Sequence, residues 1–225
     1  MTDIIAIDGP AGSGKSSVSK AVARQAGYGY LDTGAAYRAL AWHVLDQAAS
    51  TDDAAVVLQA LDSFVLRLGL DPDNQTVTVG DTDVTEQIRQ PRVSAAVSGV
   101  ARVAEVRERM NTMFRQLVAA SGLRAVVVEG RDITTVVAPD APVRVLLTAA
   151  PEVRAARRAR ELHGEDAAAV AEALHRRDAA DSTVVDFLTA APGVDVVDST
   201  ELDFEQTIAA VRAVIDRRGA ENEHG

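Results

Sequence analysis

Lys15 and Ser16 close a glycine-rich turn in the stretch Asp3-Ile4-Ile5-Ala6-Ile7-Asp8-Gly9-Pro10-Ala11-Gly12-Ser13-Gly14-Lys15-Ser16-Ser17. Their types and spacing suit one task, the holding of a phosphate chain. Gly9, Gly14, Lys15 and Ser16 complete the pattern G-x-x-x-x-G-K-[ST]. In such a loop the glycines let backbone N–H groups turn inward on phosphate oxygens, and a helix N-terminus adds partial positive charge. Gly9, Pro10, Ala11, Gly12, Ser13, Gly14, Lys15, Ser16 and Ser17 are therefore the expected cradle of a nucleoside triphosphate. Lys15 would reach the β- and γ-phosphates, and the Ser16 hydroxyl would ligate Mg²⁺.

Three other groups of polar residues have the form of a site. Glu129-Gly130-Arg131-Asp132 stands directly beyond the apolar run Ala125-Val126-Val127-Val128. A charged quartet at a strand's carboxyl end, in the sheet that carries a phosphate loop, is where open α/β sheets bind ligands. Arg154, Arg157 and Arg158 are spaced i, i+3, i+4 and emerge on one helix face, whereas Arg160 points elsewhere. A solvated face balanced by Glu152 and Glu161 is the alternative. Tyr37 and Arg38 lie on the first turns of a helix that follows a strand, again at the ligand-binding edge.

The elements that position these groups follow from periodicity. Residues 15–25 read as a first helix with Val18 and Val22 on one face and Gly27 as its stop. Residues 28–31 read as a second strand and 35–49 as a helix, which repeats the opening pattern and marks a doubly wound sheet. A helix over 51–61 precedes alternating residues at 64–70 and 76–79 with turns at 71–74 and 80–81. This is a small antiparallel meander, so residues 64–92 are predicted to be a β-rich insertion. Residues 92–121 are helical, and 124–128 and 143–148 are buried strands. Pro151 opens a helix, a polar turn follows at 163–166, and 167–177 is a second helix; the pair, residues 151–180, has the form of a lid. Residues 194–197 form the last strand. The final helix carries Ile208, Val211 and Ile215 on its apolar face and stops at Arg218-Gly219, leaving 219–225 as a disordered tail.

The expected fold is thus a single α/β domain, a three-layer α/β/α arrangement around a parallel sheet. The 225 residues are 47% hydrophobic but only 4% aromatic, which suits a sheet of Val, Ile, Leu and Ala buried under helices. A net charge of −10 argues against nucleic-acid or anionic-membrane partners. With no cysteine there is no disulfide framework and no thiolate chemistry. No leader or spanning segment stands out, so the expectation is a soluble cytoplasmic protein, taken as a monomer.

At this point the chain resembles the bacterial cytidylate kinases, a family of P-loop nucleoside monophosphate kinases. The resemblance rests on I-D-G-P-A-G-S-G-K-S-S, the L-D-T-G-A-x-Y-R run at 31–38, E-G-R-D-I-x-T-V-V at 129–137, P-D-A-P at 139–142 and R-R-D-x-x-D-S-T at 176–183. It implies transfer of the γ-phosphoryl group of ATP, with Mg²⁺, to CMP or dCMP. It also implies that the insertion is the extra monophosphate-side domain of the bacterial enzymes. Thr33, Tyr37 and Arg38 would line the CMP site. Ser98, Arg107 and Asp132 match cytosine-contacting positions; Arg131, beside Gly130, matches a phosphate contact. Arg177 and Asp181 match contacts to the monophosphate's phosphate and sugar. Lys15, Arg131, Arg154, Arg157 and Arg158 would form the catalytic set. Three positions depart from the family pattern: Glu129 stands where aspartate is frequent, Thr134 where glycine is, and Val184 where many relatives carry a phosphate-binding arginine.

The residue chemistry agrees with that class. A phosphate acceptor is already an anion, so the reaction needs positioning and charge cancellation rather than a strong base. A carboxylate such as Asp132, held with Ser98, can accept from cytosine's amine and would face uracil's carbonyl unfavourably. The competing readings are a P-loop kinase for UMP or a shikimate-like acceptor, and a non-catalytic nucleotide switch. The switch calls for a guanine-reading N-K-x-D motif, which the sequence lacks.

Overall fold

The structure, a computed structural model, describes residues 2–161, 167–182 and 186–223. Strand β1 (Asp3–Asp8) leads through the glycine-rich loop into α1 (Lys15–Ala26), and β2 (Gly29–Asp32) leads into α2 (Thr33–Asp46) and α3 (Ala54–Asp62). A small sheet of β3 (Leu66–Leu68), β4 (Val77–Val79) and β5 (Thr82–Asp83) precedes α4 (Pro91–Ala101) and α5 (Ala104–Ala120). Then come β6 (Ala125–Gly130), a π-helical turn (Ile133–Val137) and β7 (Val143–Thr148). The helices α6 (Pro151–Glu161) and α7 (Ala167–Ser182), strand β8 (Asp195–Asp198) and helix α8 (Phe204–Glu223) complete the chain. Two compact units result: one takes the chain up to Tyr30 and again from Leu123, and the other is Leu31–Gly122.

The first unit is built on a five-stranded sheet in the order β2-β6-β1-β7-β8. Its central pairs are parallel, with Asp3 opposite Ala125, Ile5 opposite Val143 and Val145 opposite Asp195. One row of side chains, Ile5, Ile7, Ala125, Val127, Val145 and Leu147, packs with Val18 and Val22 of α1 and with Ile208, Val211 and Val214 of α8. The alternate row, Ala6, Val126, Val128 and Leu146, is equally buried. Burial on both faces explains why these strands read as continuous apolar runs rather than as alternating ones. Each buried Val, Ile or Leu contributes about 1.5–3 kcal/mol relative to exposure. Gly27, at φ 67°, ends α1 by returning its N–H to the Ala23 and Arg24 carbonyls.

In the second unit, Asp32 caps α2 by accepting from the Ala35 N–H, and Asp53 caps α3, which starts three residues later than expected for that reason. The meander forms, with Leu66 opposite Val79 and a left-handed Gly80 (φ 59°) turning β4 into β5. Pro91 occupies the first turn of α4.

Two further expectations change. Helix α8 does not stop at Arg218-Gly219; it continues to Glu223, so the tail is helical over its described part. Gly219 does not take a left-handed φ, and Arg218 ties both sides together by donating to Asp195 and to Glu221. Helix α7 runs on to Ser182 instead of ending near Arg177. The polar turn at 163–166 and Val184 lie outside the described residues. Among the described residues no helix is long and apolar enough to cross a membrane.

Candidate active site

The phosphate loop is shaped by close approach. A Cβ on Gly9 would collide with the Leu147 carbonyl oxygen of β7, and one on Gly12 would sit 2.9 Å from the Arg154 carbonyl oxygen of α6. Gly12 (φ 76°) and Gly14 (φ 84°) take left-handed backbone, which glycine adopts without strain. Gly14 caps α1 without a side chain, so it supplies no oxygen to the first-turn amides, and these remain donors for an anion. Pro10, Ala11 and Ser13 are buried, whereas Ser16 and Ser17 are exposed on the first turn.

Of the carboxylates at the strand ends, Glu129 pairs with Lys15 and Asp8 anchors the turn after Asp132. Lys15 Nζ lies 3.6 Å from Glu129 Oε2, and the Tyr30 hydroxyl donates to Glu129 Oε1 at 2.6 Å. Next door, Asp8 accepts from the Ile133 and Thr134 backbone N–H groups and from the Thr134 hydroxyl at 2.7–2.9 Å. Burial pushes the Asp8 carboxyl above the usual aspartate value, against the pull of the Thr134 and Ile133 bonds and of the Lys15 charge. Thr134, one of the three departures, thus serves as the anchor of the turn that follows Asp132.

Arg131 donates to the Gly9 carbonyl at 2.5 Å and lies with its guanidinium 4.8 Å from the Phe187 ring centroid. Arg154 donates to the Ala11 carbonyl at 2.8 Å, to the Ala149 carbonyl and to Asp178 of α7. Arg157 turns toward the segment before α8, donating to Ser199 Oγ, to the Ser199 carbonyl at 2.6 Å and to the Leu202 carbonyl at 3.1 Å; it reaches the Ser13 carbonyl at 3.5 Å. Burial, with Arg160 nearby, lowers its pKa below the usual guanidinium value. Arg158 is exposed. The arginine face of α6 is therefore divided between the phosphate loop, the β8–α8 connection and solvent. Asp132 and Gly130 are half-buried beside Arg131, and Asp132 immediately precedes the π-helical turn.

In the second unit, Asp32 Oδ2 accepts from Arg38 Nη2 at 2.7 Å while its other oxygen caps α2. Thr33 is buried, and Tyr37 packs edge-on against Phe114 with ring centroids 6.3 Å apart. Arg107 donates to the Ala101 and Arg102 carbonyls at the α4–α5 junction. Ser98 is exposed on α4. Arg177 and Asp181 lie on α7, their side chains outside the description.

The sequence singles out Glu129 as part of the charged quartet, but not as the partner of Lys15 and Tyr30. Asp8, which ends an apolar strand, and Asp178 and Phe187 are given no role there. Phe187 and Asp178 meet the arginines only through the fold.

A glycine-rich loop between the first strand and first helix of a parallel sheet, with a lysine at its end, defines a P-loop nucleotide-binding protein. The family model for cytidylate kinase matches residues 5–217. The chain is 47% identical over 218 residues to a cytidylate kinase of Streptomyces coelicolor, covering 96% of this chain and 94% of that one. It is 48% identical over 214 residues to a cytidylate kinase of Cutibacterium acnes, covering 92% and 93%. A crystal structure of an uncharacterized protein from Eubacterium ventriosum shares the fold at 13% identity and a TM-score of 0.54, over 96% of this chain and 99% of that one. The chain belongs to the cytidylate kinase family.

Proposed function

We infer that this protein is a (d)CMP kinase, which transfers the γ-phosphoryl group of ATP to CMP or dCMP and releases ADP with CDP or dCDP. The observation that carries the chemistry is the meeting of the glycine-rich loop with Lys15, Arg131 and Arg154, all within the first unit. In the reaction an oxygen of the acceptor phosphate bonds to the γ-phosphorus as the bond to the β–γ bridging oxygen breaks. Loop amides and Lys15 would hold the β- and γ-phosphates, and Arg131 and Arg154 would offset charge on the transferring group. The family residues of the monophosphate site, Thr33, Tyr37, Arg38, Ser98, Arg107, Asp132, Arg177 and Asp181, would orient CMP, with Asp132 reading the cytosine amine.

The residues present fit Mg²⁺ carried by the nucleotide: the buried Ser13 hydroxyl has no hydrogen-bond partner among the described residues, and Ser16 is exposed one turn further. The Ser16 hydroxyl would be the protein ligand. When bound, the ion draws negative charge from the phosphate oxygens. The helices α6 and α7 would serve as the lid, and the protein would work as a cytoplasmic monomer. A coupled ADP-release assay across CMP, dCMP, UMP, AMP and shikimate tests the assignment. Turnover should be confined to, or at least strongest with, the cytidine monophosphates; equal kcat/KM for UMP and CMP would remove Asp132 from its role.

A further inference from the structure

Asp178 is 8% exposed on α7 and takes no part in the reaction as described above. Its Oδ1 accepts from the Ala11 backbone N–H at 3.1 Å, and its Oδ2 accepts from Arg154 Nη1. Arg131 Nη2 lies 3.9 Å from Oδ1. Arg154, in turn, donates to the Ala11 carbonyl. The contacts close a ring from the Ala11 amide through the carboxylate and the guanidinium back to the Ala11 carbonyl. A loop amide and an arginine gripping one anion is the arrangement a phosphate oxygen would engage, and here a side-chain carboxylate fills it. A buried carboxylate is costly unless such donors compensate it, so Asp178 belongs where cations and amides converge.

The geometry points to Asp178 as a positioning residue for phosphoryl transfer, an internal anion that sets Arg154 and the Ala11 amide in place and yields them to the nucleotide's phosphates. The inference rests on the kinase reading and deepens it. It accounts for why two arginines can stand beside a phosphate loop without repelling one another before substrate arrives. The nucleotide must displace the carboxylate, so Asp178 trades some ground-state affinity for a preset arrangement, the form of expenditure that raises turnover.

Asp178→Asn keeps the shape and one acceptor for the Ala11 amide but removes the charge. Titration calorimetry with inorganic pyrophosphate at fixed ionic strength should show three- to tenfold tighter binding than wild type. Steady-state kcat with ATP and CMP should fall at least tenfold, with the melting temperature close to wild type. Asp178→Glu keeps the charge on a longer arm; it should leave pyrophosphate affinity within twofold of wild type and recover part of kcat. That variant carries the test should the Asn form not fold, and a threefold or larger change in its pyrophosphate affinity overturns the inference. Unchanged or weaker pyrophosphate binding by folded Asp178→Asn overturns it, whatever happens to kcat. Wild-type protein that binds pyrophosphate yet phosphorylates no monophosphate would sink the substrate assignment instead, because the binding measurement needs no acceptor.

Discussion

Lys15 Nζ stands 3.6 Å from Glu129 Oε2, while Tyr30 donates its hydroxyl proton to the other oxygen of that carboxylate. Both members of the pair are mostly removed from solvent, with 12% and 3% of their side chains exposed. The carboxylate thereby aims the ammonium. Glu129→Gln keeps an acceptor for Tyr30 but releases Lys15. We expect turnover to fall roughly tenfold to a hundredfold with the circular dichroism spectrum unchanged, and Lys15→Ala to fall further, by roughly a hundredfold or more. The double variant should be no worse than Lys15→Ala alone, because the two side chains act as one unit. Additive losses would separate them.

Arg131 spans two partners, the Gly9 carbonyl and the face of Phe187. A planar guanidinium can stack and donate at once; a compact ammonium cannot. Arg131→Ala should lose activity by roughly a hundredfold or more. Arg131→Lys should recover little of it, and both should retain native melting curves. Near-wild-type turnover in either variant would mean that the acceptor and donor phosphates meet elsewhere.

Base choice is read out by exchanging one carboxylate for an amide. If Asp132 reads the base as proposed, Asp132→Asn would offer uracil's carbonyl a donor, and the CMP-over-UMP preference in kcat/KM should shrink by roughly ten- to a hundredfold, the order of one buried polar mismatch worth about 1–3 kcal/mol. A preference that survives intact would assign discrimination to other residues.

Asp195 joins β8 to α8 through Arg217 and Arg218. Partial burial raises its pKa, but the Arg218 and Arg217 contacts outweigh that and hold the carboxyl below the ordinary value of 3.8. A depressed native pKa gives stability that is present above the unfolded value and lost as pH falls through the native one. The arginine side chains are 51% and 31% exposed, so solvent screens the pair and its contribution is modest. Asp195→Asn should lower the melting temperature by about 2–4 °C at pH 7. The gap should narrow as pH drops below 3.8. A gap independent of pH would show that packing, not charge, joins the two elements.

The parallel sheet was legible because strands buried on both faces must be apolar throughout, as Ala125 to Val128 are. The phosphate loop was legible because its ligands are contiguous backbone amides, so spacing alone encodes it. The arginines of α6 were only half legible. Residues three and four apart flank the first at about 60° on one side and 40° on the other, so Arg157 and Arg158 diverge by about 100°. Packing decides the rest: Arg154 meets the loop, Arg157 meets Ser199 and Leu202, and Arg158 is exposed. Asp178 stands in the R-R-D-x-x-D-S-T run, but its role was not legible there, since its partners lie 167 and 24 residues away. Gly219 misled because a glycine near a helix end is a stop only where the backbone turns left-handed, and here it does not.

The alignment of β6 beside β1, with Glu129 opposite Ile7 and Gly130 opposite Asp8, puts Glu129 in the same row as Val127 and Ala125. Successive residues of a strand alternate between faces, so losing a single valine from the run would send that carboxylate to the far side of the sheet and strand the lysine. The length of an otherwise featureless hydrophobic stretch therefore acts as a ruler for the chemistry at its tip.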